Sequence, residues 1–415
     1  MKANKAYHFL RYVNKVFGLE KAFKSFRDGR QKHHIPLESV LKCFLLGLVC
    51  RKGSLNQIEE SIRLGVFDKA LGKGPKPSAD TVGYALKRTE PGAFKNYNSY
   101  IIQKARYNKV FSGGTVDGLL VAAIDGTELY STKSESRSCR HCSVRTVNEV
   151  KEYYERVVAV SYVGSGPPLI LGIRRQRKGE GELPAAIGLL KELNWRNTRF
   201  CDAIVGDALY AASPFINEAT SQNKWVAFRV KRENYHVVRD AEGLFAGRKP
   251  DFEERGITDF KGSIYDIRIW DEENFTSWDK VKEPLRCLKV EETRYYSKNG
   301  EQVSETIPTY IVTTCPKALV KPKTVWKIMH KRWGIENSVF HEAKTCCSLD
   351  HSFVHHEIAT EVAWLLQIIA LNLLLMFKWR ALRGKKQKWT LRGLSEAIFV
   401  GLVSWPQRVY IEPFG

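Results

Sequence analysis

Acidic residues are in short supply. The 415-residue chain has 45 Asp and Glu against 66 Lys and Arg, for a net charge of +21 and a pI near 9.5. That imbalance argues for a polyanionic partner, nucleic acid first and an anionic membrane surface second. An apolar run long enough to cross a bilayer is also missing. The longest, VAWLLQIIALNLLLMF at 362–377, has sixteen residues broken by Gln367 and Asn372, short of the roughly 20 that a membrane span requires. A buried helix is expected there, and no membrane partner. No internal repeat, low-complexity linker or Ser-His-Asp order stands out. GSGPP is not followed by the Lys-Ser or Lys-Thr of a phosphate loop. Cysteine is present without a framework: nine residues, an odd number, scattered from Cys43 to Cys347. Reduced thiols are the expectation. The opening MKANKAYHFLRYVNKVF is basic and has no continuous apolar core, so a cytoplasmic location is expected. The one metal-like spacing is Cys139-x2-Cys142 in SCRHCSVR. Zinc would need two more ligands, such as Cys201 or Cys346 brought near by folding, and plain loop thiols are the simpler reading.

An apolar fraction of 43% is ordinary for a globular chain and sufficient for a sizeable core. The length allows one large domain with additions, or two to three domains. Residues 1–110 read as a helical DNA-binding region. The first 32 residues carry nine Lys or Arg and two acids. PLESVLKCFLLGLVCRKG and SLNQIEESIRLG, the first started by Pro36 and stopped by Gly53, the second capped by Ser54, read as a helix pair. That pair is either a helix-turn-helix or part of a plain bundle. From 111 to 231 the texture changes to GLLVAAIDG, RVVAVSYVG, PLILGIRRQ, CDAIVGDALY and KWVAFRVK, five short apolar runs that read as buried strands. Two helices are expected between them, ELPAAIGLLKELN and SPFINEATSQN, the second capped by Ser213. Such an order belongs to a mixed α/β sheet. Residues 232–316 form a β-rich insertion in which KNGE marks a hairpin turn. Residues 317–377 return to helix, and 378–415 form a basic tail, with seven Lys or Arg and no acid in 378–392.

Two of the buried runs end in Asp. Asp125 closes the first and Asp207 the fourth, and polar chemistry gathers at strand ends in α/β sheets. Two facing carboxylates repel unless a cation sits between them, and hard divalent ions prefer oxygen ligands. A third carboxylate, Glu336, lies on the helical stretch HKRWGIENSVFHEAK. Arg332 is four residues before Glu336, so the two share a face, and Lys344 follows eight residues after. Alone, each acid reads as a turn former or a solvated helix residue. Together they allow two metal ions that stabilise the attacking and leaving oxygens of a phosphodiester displacement.

AIDGTELY, AIVGDALYAASPF and RWGIENSVFHEAK resemble the three acidic motifs of the DDE transposases of bacterial insertion sequences. The closest likeness is to the large group with a β-strand insertion before the catalytic Glu. DHSFVHHEIATEVAWLLQIIALNLL is similar to the apolar helix that follows that Glu, and the resemblance covers roughly 76–377. It implies an RNase H-like mixed sheet flanked by helices, interrupted by the β insertion, with a helical N-terminal region. It implies Mg²⁺-dependent cutting of double-stranded DNA at transposon ends and strand transfer into target DNA, with Mn²⁺ able to substitute. Asp125, Asp207 and Glu336 would be the catalytic metal ligands. Arg332 and Lys344 would contact phosphates, and Trp270 or Trp278 of the insertion would stack on a flipped base or else fill the insertion's small core. A homodimer on DNA, associated with a bacterial nucleoid, follows from the same likeness. Two departures stand out: Met329 replaces a frequent Tyr three residues before the Arg, and the Glu-to-Lys gap is one residue longer than the commonest spacing. The alternatives are a nuclease or recombinase on the same core, and a DNA-binding protein that has lost catalysis.

Overall fold

The computed structural model describes residues 4–72, 74–138, 142–230, 236–258, 264–298, 301–382 and 389–405. The N-terminal third is helical: α1 (Lys5–Phe17), α2 (Leu19–Ser25), α3 (Leu37–Val49), α4 (Leu55–Arg63), α5 (Asp68–Leu71), α6 (Ala79–Lys87) and α7 (Pro91–Tyr107). Local chemistry sets these bounds. The Asn4, Ser54 and Ser78 side chains accept from the backbone N–H three residues on, satisfying helix-start donors. Gly18 closes α1 at a φ of 59°, where a side chain would be strained. α3 starts after Pro36 and ends before Gly53, because Arg51 already turns left-handed at a φ of 59°.

The sheet has ten strands: β1 (Val121–Thr132), β2 (Ser143–Val147), β3 (Val150–Tyr162), β4 (Ile170–Arg175), β5 (Ala203–Gly206), β6 (Trp225–Val230), β7 (Phe252–Thr258), β8 (Ile264–Phe275), β9 (Leu285–Lys298) and β10 (Glu301–Thr313). Its core order is β4-β3-β1-β5-β6, with β1, β5 and β6 parallel and β3 and β4 antiparallel, the RNase H-like arrangement. Helices α8 (Glu182–Arg196) and α9 (Ser213–Ser221) connect the parallel strands. Ala212 stands at the cap of α9, and Ser213, expected there, instead donates from Oγ to the Asp279 carbonyl. The insertion opens with a helix, α10 (His236–Phe245). Its strands are not a separate sheet: β10 pairs antiparallel with β6, and β9, β8 and β7 follow outward. Asn299 and Gly300 of the expected hairpin turn lie outside the described residues, and the strands meet with Lys298 opposite Glu301.

After the sheet come α11 (Pro322–Lys331), a π-helical stretch (Ile335–Phe340), α12 (His341–Cys347), α13 (Glu357–Met376) and α14 (Leu391–Val403). Residues 391–403, expected within a basic tail, therefore form a helix, and it packs on α1. α13 and its continuation to Ala381 are long and apolar enough for a membrane span. Seventeen of the twenty residues of α13 are buried, however, and α3, α6, α7 and β4 surround it. An all-round apolar helix is what the centre of a large fold requires.

The two polar residues inside that run have structural work. Asn372 Oδ1 accepts from the Ile170 N–H at 3.0 Å and its Nδ2 donates to the Ile170 carbonyl at 2.9 Å. Asn98 of α7 joins the same cluster. Together the two amides serve as a substitute strand along β4, leaving no buried backbone group of Ile170 unpaired. Each such group would otherwise cost about 1–3 kcal/mol. Gln367 Nε2 donates to the carbonyls of Cys347 and Ser348, closing the end of α12. The N-terminal helices and the sheet thus share one core through α13.

Candidate active site

Strand register brings the first two acids level. β1 and β5 run parallel with Ala123 opposite Val205. Two residues further that register brings Asp125 level with Asp207, which directly follows β5; Asp125, expected to close its strand, lies within β1, which runs on to Thr132. Asp125 is mostly buried and its Oδ1 accepts from the Gly126 N–H at 2.9 Å. Asp207 leaves the sheet and caps a short turn, its Oδ1 accepting from the Leu209 N–H at 2.9 Å.

Arg332 follows the last residue of α11, where the chain turns into the π stretch. Its Nη1 is 2.6 Å from Glu336 Oε1 and 4.0 Å from Asp125 Oδ2. The guanidinium therefore lies between two of the three acids. Among the described residues, no group of three His, Cys, Asp or Glu side chains converges closely enough to hold one metal ion. The chemistry of the donors still fits a hard cation, because all are carboxylate oxygens. The Asp125 carboxyl is pushed up to about 7, first by burial and then by the charge of Glu336. The Gly126 N–H and Arg332 pull it down, and Asp207 adds a smaller upward push. Carboxylates in this situation stay ionised best with a cation beside them.

Lys344 lies on α12, past the π stretch. Eight residues of ideal α-helix would rotate it about 80° away from Glu336. π-type turns take up an additional residue, so the extra residue between Glu336 and Lys344 is absorbed and Lys344 returns toward β1. Its Nζ donates to the Glu128 carbonyl at 3.2 Å. It lines a cleft of about 610 Å³ with Tyr130, Arg137, Asp350, His351 and His355.

The insertion tryptophans lie elsewhere. Trp270 is 7% exposed and donates from Nε1 to the Arg248 carbonyl at 2.7 Å, with Lys289 Nζ over its ring. Trp278 is buried as well. Neither offers an open ring face in this conformation, and the exposed indole beside the acids is Trp333. Cys142 is buried, and Cys139 lies outside the described residues.

Sequence reading passed over Glu182 and Tyr210. Buried Tyr210 donates from its hydroxyl to Glu182 Oε1 at 2.7 Å, which holds that carboxylate against Gly126. A Cβ at Gly126 would lie 2.4 Å from the Glu182 carboxyl, and one at Gly206 would lie 2.6 Å from the Tyr210 ring. Nothing in the spacing marks Glu182, since it reaches the site only through the return of β4 into α8.

Glu292 of β9 ties the insertion to α11. It accepts from Trp326 Nε1 at 2.9 Å and pairs with His330 Nε2 at 2.7 Å. Burial alone would raise its carboxyl, but the bonds and charge from His330, then Trp326 and Arg294, hold it down at about 2. A depressed carboxyl stabilises the fold above its unfolded value of about 4.5, and that stability is lost as pH falls toward 2. Glu292→Gln is expected to lower unfolding stability at pH 7 by about 1–3 kcal/mol, and the gap from wild type should narrow as pH falls below about 4.5 and close near pH 2. Urea unfolding across a pH series checks both points.

Residues 119–373 match the family model described as Transposase DDE domain. The chain belongs to that family. It is also similar to a piggyBac transposase seen in a cryo-EM structure of the synaptic complex with hairpin DNA. That likeness has 12% identity and a TM-score of 0.45, covering 97% of this chain and 80% of the other. No curated protein matches the chain. The DDE domain so bounded takes in Asp125, Asp207 and Glu336, the whole insertion, and α13 nearly to its end.

Proposed function

We propose that the chain is a DNA-cleaving transposase of the bacterial insertion-sequence type. It would cut double-stranded DNA at element ends and join those ends to a target. Within the matched stretch, Asp125 lies in β1 and Asp207 directly follows the adjacent parallel β5, and Arg332 bridges Asp125 and Glu336. That Arg332 bridge between Asp125 and Glu336, with Asp207 following the neighbouring strand, supports the reading best. Asp125, Asp207 and Glu336 would hold the divalent cations, Mg²⁺ with Mn²⁺ as a substitute. When bound, such ions make an attacking oxygen more nucleophilic and stabilise the leaving one.

The residues of the chain do the rest. Arg332 and Lys344 would grip the DNA backbone as phosphate contacts that position without reading sequence. Trp333, exposed next to Arg332, offers a stacking surface beside the cut. The N-terminal helices would recognise the ends. Two ends have to meet, so a homodimer on DNA belongs to the proposal, as does a nucleoid-associated place in a bacterial cytoplasm. The test is to incubate the purified protein and Mg²⁺ with a plasmid carrying the DNA that flanks its gene. Breaks at defined ends and joined products are expected. Breaks without joining would favour the nuclease alternative, and binding without breaks the non-catalytic one.

A further inference from the structure

The opposite end of the sheet carries a second cationic face. α7 and α8 both end there, bridged by Gln103 Nε2 donating to the Arg196 carbonyl at 3.2 Å and by Arg106 Nη1, 3.5 Å from Asn197 Oδ1. Lys104, Arg106, Lys109, Arg196 and Arg199 gather on this end. Arg196 has an acidic neighbour in Glu192. Among the described residues, Lys104, Arg106, Lys109 and Arg199 have no carboxylate within ion-pair distance. Asp202, the nearby acid, is taken up by the Leu120 N–H.

Two aromatic rings stand out from the same face. Trp195 is 76% exposed and Tyr107 80% exposed. Arg196 lies over the Trp195 ring at 4.9 Å and Lys104 over the Tyr107 ring at 5.3 Å. A cleft of about 410 Å³ runs between Arg106, Tyr107, Lys109, Phe111 and Leu120. Cations in the last turns of α7 and α8 offset the helix dipoles, which accounts for Lys104, Arg106 and Arg196. It does not account for Lys109 and Arg199 beyond the helix ends, or for two large rings left in water.

We propose that this face binds the backbone of a second stretch of duplex DNA, apart from the stretch at the acids. Leu120, in the cleft, is five residues before Asp125 on an extended chain, a separation of roughly 16 Å through the body of the sheet. A duplex lying over Asp125 and Asp207 does not reach around to it. Unpaired cations fit phosphates, and exposed rings flanked by cations suit sugar and groove edges. The inference rests on the reading above only in taking DNA as the polyanion.

The experiment measures anisotropy of a labelled duplex of about 40 base pairs and arbitrary sequence, bound by full-length protein over a range of salt. Each lost phosphate contact lowers the slope of log affinity against log salt by about 0.9. Lys104→Ala/Lys109→Ala/Arg199→Ala is therefore expected to lower the slope by about 2–3. Lys109→Ala alone, which removes an exposed side chain and leaves the backbone turn after α7 in place, should lower it by about 0.9. An unchanged slope in both variants overturns the proposal. So does an unchanged slope with an altered sedimentation mass, which would make the face a contact between two copies of the chain. Cutting is not read by this assay. A chain that binds as stated but never cuts overturns the function above and leaves this face standing.

Discussion

Asp125→Asn is expected to reduce Mg²⁺-dependent DNA cleavage by about a thousandfold or more, with DNA affinity and fold retained. A thousandfold corresponds to about 4 kcal/mol of transition-state stabilisation, within the several kcal/mol that a bound cation supplies. The substitution keeps the shape of the side chain and its bond with the Gly126 N–H, while removing the charge that a cation requires. The metal-free protein provides a second reading with the opposite sign. The Asp125 carboxyl stands at about 7 in the folded chain against an ordinary 3.8. A carboxyl raised in this way costs stability as pH rises from about 4 to 7, and the cost is complete above 7. The Asn variant should therefore melt no lower than wild type at pH 8 without metal, and higher if relaxation does not absorb the cost. Added Mg²⁺ should raise the melting temperature of wild type and leave the variant unmoved. Normal cleavage by the variant would sink the assignment of Asp125. Wild type unmoved by Mg²⁺ up to cleavage-supporting concentrations would sink its role as a metal ligand.

Arg286→Met is expected to cost about 3–5 kcal/mol of folding stability. Arg286 and Asp271 are 2% and 0% exposed. Two parallel bonds of 2.7 Å join them, Nε to Oδ1 and Nη2 to Oδ2. Arg286 Nη1 also donates to the carbonyls of Cys315 at 3.2 Å and Val320 at 2.7 Å. One guanidinium thus fastens β8, β9 and the segment entering α11. Removing it leaves Asp271 charged and buried, which is the expensive outcome. Removing both charges, as in Arg286→Met/Asp271→Leu, should recover most of the loss, since apolar replacements of a buried pair come close to neutral. Denaturant unfolding of the singles and the double closes the cycle. A single-variant cost under about 1 kcal/mol would show that the insertion is anchored elsewhere. Cleavage should fall in the single variant at temperatures where it is still folded, because Arg332 is reached through α11.

Much of the DDE domain is legible because its core strands hold unbroken runs of Val, Ile, Leu and Ala, two of them followed by an Asp; that β1 continues past Asp125 to Thr132 is not, because its outer half, GTELYST, is polar. Glu336 is readable through its cation four residues earlier. Three features resist reading for separable reasons. β2 escapes because its hairpin turns on Asn148 and Glu149, at φ of 49° and 63°, without the glycine that usually marks such a turn. The π stretch escapes because one extra residue in a helix leaves the apolar spacing nearly intact. Glu182 escapes because its importance depends on a glycine in another strand. The N-terminal helices announce themselves as helices, yet their docking on α13 depends on Asn98 meeting Asn372, 274 residues away.

The seam between β6 and β10 bears on how such an enzyme can diversify. Val230 to Ala227 are zipped to Tyr310 to Thr313, so the first ribbon past the five core strands is welded to the scaffold. Hairpins further out hang from it like leaves from a hinge pin. Those outer leaves can change length without disturbing the β6 seam. Excising the whole insert would instead bare a row of unsatisfied amides along β6, inviting another chain to dock there.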